Sequence, residues 1–345
     1  MFLPIYKVTS PQVIEEFVEP LEYDKESVLV HVDKMAICKA DIRYYLGKRD
    51  QHVLERKYPL APIHEAVGHI LKDPTGTYTK GDKVILIPNS VNPELCPTCP
   101  FTRCKEEELG ENYCPHAQFR SSTCDGFMRE IYSCRPDQLV RYDPIIDDEL
   151  AVFSELLSVS YAACRRIRLR DVRRVALFGD GIMGYMVYLV LVRKFHLDVT
   201  LFGMDEEKMK QFKEAKTTKY ADYRGEKFDT LLECVGGNAS SFAVNQMIDL
   251  AEIGADLILM GVAEENVALN TRKILEKGLS LKGVTRSSPE DFKQIALFLK
   301  KQEVREDLRP LVLSVHQITS VNDVYAVFEK EIENTRIIGK NLMEF

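Results

Sequence analysis

The chain has 345 residues, of which 45% are hydrophobic and 29% charged, and its formal net charge is −7. This length favours two domains, and the composition is typical of a folded globular protein. No apolar run approaches the roughly 20 residues that span a bilayer, and the acidic balance argues against nucleic-acid binding. The N-terminal stretch MFLPIYKVTSPQVIEEF lacks a basic start and a long apolar run. We therefore expect no secretion signal and a cytoplasmic location.

The first 150 residues are predicted to form short strands separated by turns. VLVHV (28–32) and GDKVILIP (81–88) are rich in β-forming residues, and loops containing Gly, Pro and Asn separate them. This part of the chain is therefore interpreted as β-rich.

Potential metal ligands are dispersed along this region and just beyond it. Cys38 lies in MAICKAD, the adjacent pair His64 and Glu65 lies in PIHEAVGHI, and Glu155 lies in the helical stretch SELLSVSYA. A thiolate, an imidazole and a carboxylate suit zinc and leave room for water or substrate. A free cysteine is more often a core residue, however, and Glu155 is also consistent with an acid on a helix surface.

A second cluster lies between residues 96 and 114, where four cysteines have the spacing C-x2-C-x4-C-x9-C. In a reducing compartment, clustered thiols are metal ligands more often than disulfides. Four thiolates so close in sequence predict a closed, structural zinc site formed by Cys96, Cys99, Cys104 and Cys114. The alternative is a set of unpaired or oxidised thiols.

From about residue 150 the pattern alternates between strands and helices. RVALFG, DVTLF, FDTLLECVGG and ADLILMGV resemble strands, and GIMGYMVYLVLVRKF, DEEKMKQFKEA and SSFAVNQMIDLA resemble the helices between them. This alternation predicts a parallel sheet covered by helices on both faces. The tail is predicted to be helical, with PEDFKQIALFLKKQ and SVNDVYAVFEKEIEN as its two helices.

RVALFGDGIMGYM contains a G-x-G-x-x-G pattern immediately after a strand, formed by Gly179, Gly181 and Gly184. The first glycine permits a tight turn, the second lets the backbone approach a pyrophosphate, and the third allows close packing. The helix that opens with Ile182 and Met183 directs its N-terminal dipole at the phosphates. In this setting the pattern favours dinucleotide binding over a simple packing turn.

The end of the second strand bears on the choice of cofactor. An NAD site usually has an acid there for the ribose 2′-hydroxyl, whereas DVTLF ends in Gly203. The missing carboxylate favours NADP(H) over NAD(H). Asp205 could instead bind the ribose, although it is better interpreted as the N-cap of DEEKMKQF.

The ordered set CKAD, HEAVG, the four-cysteine lobe, SELL and GDGIMG resembles the zinc-containing medium-chain alcohol and polyol dehydrogenases. The resemblance covers essentially the whole chain. It implies a GroES-like, β-rich catalytic domain formed by residues 1–150 and 287–345. It also implies a Rossmann cofactor domain with a doubly wound parallel sheet over residues 151–286, and a dimer or tetramer.

The same resemblance implies a catalytic zinc bound by Cys38, His64 and one or both of Glu65 and Glu155. The two carboxylates would exchange places with water, and Asp41 would orient the site. With the zinc of the cysteine lobe, the chain would hold two zinc ions.

Within the family, DIRYYLGKRD, FRSSTCDGFMRE, FDTLLECVGG and NTRKILEKGLSLKGVTRSS resemble the ribitol-5-phosphate dehydrogenases, also called ribulose-5-phosphate reductases. This implies NADPH-driven reduction of D-ribulose 5-phosphate, with zinc polarising the ketone oxygen. Arg43 and Arg286 are the first candidates for the phosphate, and Tyr44 for the sugar, although each is also consistent with an ordinary surface or core residue. The alternatives are an NAD-dependent dehydrogenase of an unphosphorylated polyol such as sorbitol, and a non-catalytic nucleotide-binding protein.

The chain also departs from the family pattern. The lobe spacing is longer than the common C-x2-C-x2-C-x7-C. Ala40 stands where many relatives have a Ser or Thr that relays the substrate proton, and Leu156 replaces a proline. The proton would then travel through water, Glu65, Glu155 or a sugar hydroxyl.

Overall fold

In the computed structural model of the protein, residues 2–100, 109–167 and 174–345 are described. The chain divides into two compact units. The first comprises Met1–Ser158, Ser287–Thr335 and Gly339–Phe345, and the second comprises Val159–Arg286 and Arg336–Ile338. The N-terminal and C-terminal segments therefore fold together. Within the described ranges no helix has both the length and the apolar character needed to cross a membrane.

Strands occur throughout the described residues and are numbered in chain order. They are β1 (Phe2–Ser10), β2 (Val13–Pro20), β3 (Val28–Ala36), β4 (Glu65–Lys72), β5 (Lys83–Leu86), β6 (Asn89–Ser90), β7 (Gln118–Phe119), β8 (Ile131–Cys134), β9 (Leu139–Arg141), β10 (Val175–Phe178), β11 (Val199–Phe202), β12 (Lys216–Thr218), β13 (Phe228–Glu233), β14 (Ala251–Leu259), β15 (Ser280–Gly283), β16 (Val312–Gln317) and β17 (Lys340–Glu344).

The α-helices are numbered in the same way. They are α1 (Lys39–Tyr45), α2 (Gln51–Lys57), α3 (Asp148–Ala151), α4 (Ser154–Cys164), α5 (Ile182–Leu189), α6 (Glu206–Met209), α7 (Ser240–Leu250), α8 (Thr271–Lys277), α9 (Pro289–Phe298), α10 (Gln302–Leu308) and α11 (Val321–Glu333). Sequence signals mark several helix starts. Ser288 and Asp291 form a capping box at α9, and Ser320 and Asp323 form another at α11.

The first unit is built around a sheet with the strand order β16-β17-β3-β4-β5-β9, in which β8 also pairs with β3. The sequence VLVHV at the start of β3 alternates buried and partly exposed residues, with Val28, Val30 and Val32 fully buried. This alternation is typical of a strand with one face on a core. β3 and β4 are the central pair of this sheet. The candidate metal ligands Cys38, His64 and Glu65 lie at the ends of these two strands or just beyond them.

The second unit contains a parallel sheet with the order β12-β11-β10-β13-β14-β15. Counted from β10, this is the order 3-2-1-4-5-6 of doubly wound dinucleotide-binding folds. All four residues of β10 are buried, as expected for a central strand covered on both faces. The predicted fold class, a β-rich domain joined to a Rossmann-type parallel sheet, is confirmed.

Two local features differ from the sequence prediction. The tail contributes β16 and β17 to the sheet of the first unit in addition to its helices. DEEKMKQFKEA was expected to form one helix, but α6 ends at Met209. Phe212 is buried against the rings of Tyr185 and Tyr188, and the Glu214 backbone N–H donates to the Tyr188 hydroxyl at 3.0 Å. These tertiary contacts replace the helical hydrogen bonds that the local sequence favours.

Candidate zinc and dinucleotide sites

Cys38, His64 and Glu65 converge in the first unit. The Cys38 sulfur, an imidazole nitrogen of His64 and a carboxylate oxygen of Glu65 all lie within 4.8 Å of one another. The strand register accounts for this meeting. Ala36 pairs with Glu65 across the antiparallel strands β3 and β4, Cys38 follows as the N-cap of α1, and His64 directly precedes β4.

Asp41 is fully buried and joins the segments that carry Cys38 and His64. Its Oδ2 accepts a hydrogen bond from the Cys38 backbone N–H at 2.9 Å. Its Oδ1 accepts from the Ile63 backbone N–H at 3.1 Å and from the Ser121 hydroxyl. The His64 Nδ1 lies 3.6 Å from the same Oδ1. A carboxylate behind a histidine fixes the orientation of the imidazole ring and its tautomer.

Burial and charge act in opposite directions on this pair. Burial lowers the pKa of His64, but the charges of Asp41 and Cys38 outweigh it, and the net pKa lies well above its ordinary value. Burial raises the pKa of Asp41, but the charge of His64 and hydrogen bonds from Ser121 and the Cys38 backbone lower it below the usual value. Asp41 therefore stays ionised and holds His64 in place.

Glu65 is fully buried and paired with Lys340 on β17. The Lys340 Nζ donates to both carboxylate oxygens of Glu65 at 2.6 Å and to the Ile37 carbonyl at 3.0 Å. Burial lowers the pKa of Lys340, but the carboxylate of Glu65 outweighs it and the net pKa is raised. The lysine therefore neutralises a carboxylate that would otherwise be a costly buried charge.

Glu155 lies in the first turn of α4 and is buried. Burial raises its pKa to about 7, while the charge of His64 lowers it and that of Glu65 raises it. Its carboxyl group is therefore within electrostatic reach of His64 and Glu65. It is not, however, among the three residues whose ligand atoms lie within 4.8 Å of one another.

The donor set fits zinc. One thiolate, one imidazole and one carboxylate form a three-ligand set of the kind that leaves a fourth position open in catalytic zinc sites. Magnesium and calcium prefer sites made of oxygen ligands alone. The buried Asp41 behind His64 supplies the outer carboxylate that zinc-binding histidines usually have.

The glycine fingerprint has the expected geometry in the second unit. Gly179 follows β10 with φ +119°, and Gly181 is the N-cap of α5. A Cβ on Gly184 would lie 1.9 Å from the Gly179 carbonyl oxygen, whereas a Cβ on Gly181 would meet nothing within 4 Å. Gly184 is therefore required by packing. The open space at Gly181 lies at the N-terminus of α5, which starts with Ile182 and Met183.

Asp205 is an N-cap in the structure. Its carboxylate accepts from the backbone N–H groups of Glu207 at 3.0 Å and Lys208 at 3.1 Å. Asp180, within the fingerprint, accepts from the backbone N–H groups of Met204 at 2.6 Å and Asp205 at 2.8 Å. The capping role predicted for Asp205 is confirmed. A Cβ on Gly203 would lie 2.9 Å from Asp180 and 2.7 Å from Met209, so the glycine makes room for these contacts.

Three of the four lobe cysteines lie in the described residues. Cys96 lies within the short 3-10 helix Pro93–Thr98, and Cys99 is the C-cap of that helix. The Cys99 backbone N–H donates to the Cys96 carbonyl at 3.3 Å, and Cys114 follows the 3-10 helix Gly110–Tyr113. Cys104 lies outside the described residues. The predicted four-thiolate site therefore stays a prediction.

Comparison with known proteins identifies the family. Residues 24–144 match the alcohol dehydrogenase GroES-like domain. The chain is 33% identical over 353 residues to ribulose-5-phosphate reductase 1 of Staphylococcus aureus, covering 100% of this chain and 99% of that protein. The chain belongs to the ribulose-5-phosphate reductases of the medium-chain alcohol dehydrogenase family. It is therefore an oxidoreductase.

Two further proteins agree with this assignment. The chain is 34% identical over 339 residues to the ribulose-5-phosphate reductase of Streptococcus pneumoniae, covering 96% of this chain and 95% of that one. The crystal structure of S. aureus TarJ in complex with NADPH superposes with a TM-score of 0.84 at 29% identity, covering 100% of this chain and 99% of that chain. The family resemblance inferred from CKAD, HEAVG and GDGIMG is confirmed.

The substrate residues expected for a ribulose-5-phosphate reductase are less clearly grouped. Arg43 and Tyr44 lie side by side on α1, and the Tyr44 ring is buried against Leu54 and Leu60. Arg286 has φ +60°, an uncommon conformation for a residue other than glycine, and burial lowers its pKa. Residues held in such a conformation cluster at functional sites. Arg286 therefore stays the stronger candidate.

Sequence reasoning missed three residues that shape these sites. Lys340 is 275 residues from Glu65 in the chain, and no local pattern connects them. Ser121 reaches Asp41 from a loop whose FRSSTCDG sequence carries no metal-site signature. Asp180 was visible as the second residue of GDGIMG, but its contacts with the end of β11 depend on the fold.

Proposed function

We propose that this enzyme interconverts D-ribulose 5-phosphate and D-ribitol 5-phosphate, with NADPH as the preferred reductant and zinc as the catalytic metal. The group of Cys38, His64 and Glu65 carries the proposal, because its ligand atoms lie within 4.8 Å of one another. The similarity to reductases of ribulose 5-phosphate over the full chain supports the substrate. The TarJ complex with NADPH supports the cofactor.

Each side chain has a distinct role in the proposed zinc site. Cys38, His64 and Glu65 would hold the zinc, while Asp41 fixes His64 and Lys340 balances the charge of Glu65. When bound, zinc supplies a Lewis acid for the ketone oxygen and NADPH supplies the hydride. Glu155, beside the cluster, is the carboxylate that would exchange with water at the open position.

Two features of the second unit support the proposed preference for NADPH. An acid that serves the ribose 2′-hydroxyl of NAD would repel a 2′-phosphate, and position 203 is a glycine. The nearby Asp205 carboxylate is already engaged with two backbone N–H groups at the start of α6. Gly181 would let the pyrophosphate approach the N-terminus of α5, while Gly179 forms the turn and Gly184 allows close packing.

Arg286 is proposed to bind the phosphate of the substrate, with Arg43 as the alternative candidate, since a guanidinium pairs with phosphate through two parallel hydrogen bonds. Burial of Arg286 strengthens any such pairing by reducing solvent screening. Tyr44 would hold the segment that carries Arg43 and Arg49 in position by packing, because its ring is buried and lies under the Arg49 guanidinium.

A second zinc is proposed for the cysteine lobe, bound by Cys96, Cys99, Cys104 and Cys114. A site of four thiolates has no open position and would hold the shape of the lobe. We further propose that the enzyme works in the cytoplasm as a homo-oligomer, as expected for its family.

One panel of substrates and cofactors tests the proposed reaction. Purified holoenzyme should reduce ribulose 5-phosphate with NADPH far faster than it reduces ribulose, and NADH should be the poorer reductant. Equal rates on ribulose, or faster oxidation of sorbitol with NAD, would contradict the phosphate claim. In Arg286→Met, the KM for ribulose 5-phosphate should rise by at least roughly tenfold while the KM for ribulose is unchanged.

A further inference from the structure

A second cluster of potential ligands lies on the β3–β4 pair, away from the Cys38 group. His31 and His69 are directly opposite each other in the strand register, and their rings stack with centroids 5.1 Å apart. His31 is five positions before Ala36, which corresponds to about 16 Å along a strand. The two clusters are therefore separate sites on the same pair of strands.

Asp33 lies between the two imidazoles. Its Oδ1 is 2.8 Å from the His31 Nδ1 and 2.9 Å from the His69 Nδ1. The possible ligand atoms of all three residues lie within 4.8 Å of one another. In the rest of the described chain, only the Cys38 group forms another such set.

The strand alternation and the register account for this convergence. His31 and Asp33 are two positions apart on β3 and both are partly exposed, so they share the face opposite the buried Val30 and Val32. The register places His69 of β4 opposite His31, and a β-bulge between Val32 and Lys34 leaves Asp33 without a partner residue on β4. A Cβ on Gly68 would lie 1.9 Å from the His31 carbonyl oxygen, so the glycine lets the strands approach closely.

The surrounding charges suit a cation. The His31 Nε2 lies 3.5 Å from the Glu130 carboxylate, so a proton on Nε2 leaves Nδ1 available as a ligand. Lys83, opposite His69 on β5, is paired with Asp148 at 2.6 Å, which neutralises the neighbouring positive charge. The His31, Asp33 and His69 side chains are 22%, 20% and 36% exposed, so an ion can reach them from solvent.

We propose that His31, Asp33 and His69 bind a divalent transition-metal ion of the zinc class, in addition to the two zinc ions proposed above. Two imidazole nitrogens and one carboxylate oxygen favour zinc, nickel or copper over magnesium or calcium. The ion occupies the space between the two Nδ1 atoms and Asp33 and joins β3 to β4. Because these strands also position Cys38 and Glu65, binding stabilises the framework of the catalytic site.

Zinc titration of the zinc-loaded holoenzyme by isothermal calorimetry tests this site. The wild type should take up one further equivalent per chain and show a higher melting temperature when zinc is added. His69→Gln and Asp33→Asn should weaken that binding at least tenfold and abolish the rise in melting temperature. The matched control is His52→Gln, since His52 is an exposed histidine 3.6 Å from Glu55, and it should behave as the wild type.

Two outcomes would overturn the proposal: a holoenzyme that takes up no further zinc, or a His69→Gln variant that binds zinc as tightly as the wild type. Circular dichroism and reductase activity verify that each variant is folded. Because binding is measured directly, failure of the proposed reaction would leave this test intact, and failure of the site would leave the reaction intact.

Discussion

Lys340 and Glu65 form a buried ion pair in which the lysine Nζ donates to both carboxylate oxygens at 2.6 Å. The pair joins β17, near the C-terminus, to the start of β4. β17 also pairs with β3 through Leu342 and Ala36. It therefore contacts the candidate zinc site both through Glu65 and through the strand that precedes Cys38. The C-terminal segment therefore belongs to the architecture of the site.

In the zinc-free protein, removing the positive partner should leave Glu65 as an unpaired buried charge. We expect Lys340→Met to lower the free energy of unfolding by about 3 kcal/mol in denaturant titrations. The double variant Glu65→Gln/Lys340→Met should recover at least half of that loss, because it also removes the buried negative charge of Glu65. Lys293→Met, which breaks an exposed pair with Glu290, should cost less than about 0.5 kcal/mol. Equal losses in the single and double variants would contradict the role of the pair.

Asp41 should control metal affinity through His64. Asp41→Asn keeps the shape of the side chain but removes the charge behind the imidazole, so zinc affinity should fall by roughly 10- to 100-fold in chelator competition. Ser121→Ala, which removes only one donor to Asp41, should have a smaller effect. The surface variant Asp24→Asn serves as control. Unchanged affinity in Asp41→Asn would show that the contact is only structural.

Substitutions at two of the three fingerprint glycines should distinguish an effect on NADPH binding from an effect on stability. Gly181→Ala meets no protein atom within 4 Å, so the melting temperature should stay the same while the KM for NADPH rises by about tenfold or more. Gly184→Ala would bring Cβ to 1.9 Å from the Gly179 carbonyl and should destabilise the protein by about 3 kcal/mol. An unchanged KM in Gly181→Ala would mean that the pyrophosphate does not approach this backbone.

Asp205 should matter for stability and not for the choice of cofactor. Asparagine caps helices as well as aspartate, so Asp205→Asn should retain stability, whereas Asp205→Ala should lose about 1 kcal/mol. The ratio of kcat/KM for NADPH and NADH should be the same in Asp205→Asn and the wild type. A selective loss of activity with NADH in Asp205→Asn would instead show that the Asp205 carboxylate binds the ribose.

Much of the fold was predictable because it depends on local patterns. The alternation of strands and helices after residue 150 and the glycines of GDGIMG predicted the parallel sheet and the loop after β10. The length of α6 was not predictable, because burial of Phe212 and the hydrogen bond from Glu214 to Tyr188 end it. Tertiary contacts of this kind override helix propensity without leaving a trace in the local sequence.

The candidate site was predictable only in part. Motif order identified Cys38, His64 and Glu65, and the β3–β4 register accounts for their meeting. Lys340 could not be found, since its contact with Glu65 is formed by the pairing of distant strands. The Asp33 cluster was missed for a related reason: His69 joins it through the pairing of β4 with β3, which the local sequence does not show.

Zinc content and turnover of Cys38→Ser, measured on the same preparation, test the central claim most directly. Loss of a ligand to the catalytic ion should lower the zinc content by one ion per chain relative to the wild type. The rate of ribulose 5-phosphate reduction should fall by roughly 1000-fold, since a Lewis acid supplies several kcal/mol of transition-state stabilisation. Cys164→Ala, at the buried end of α4, should keep the zinc content of the wild type and most of the activity. A Cys38→Ser enzyme that retained the zinc content of the wild type, or that retained wild-type turnover, would contradict the account.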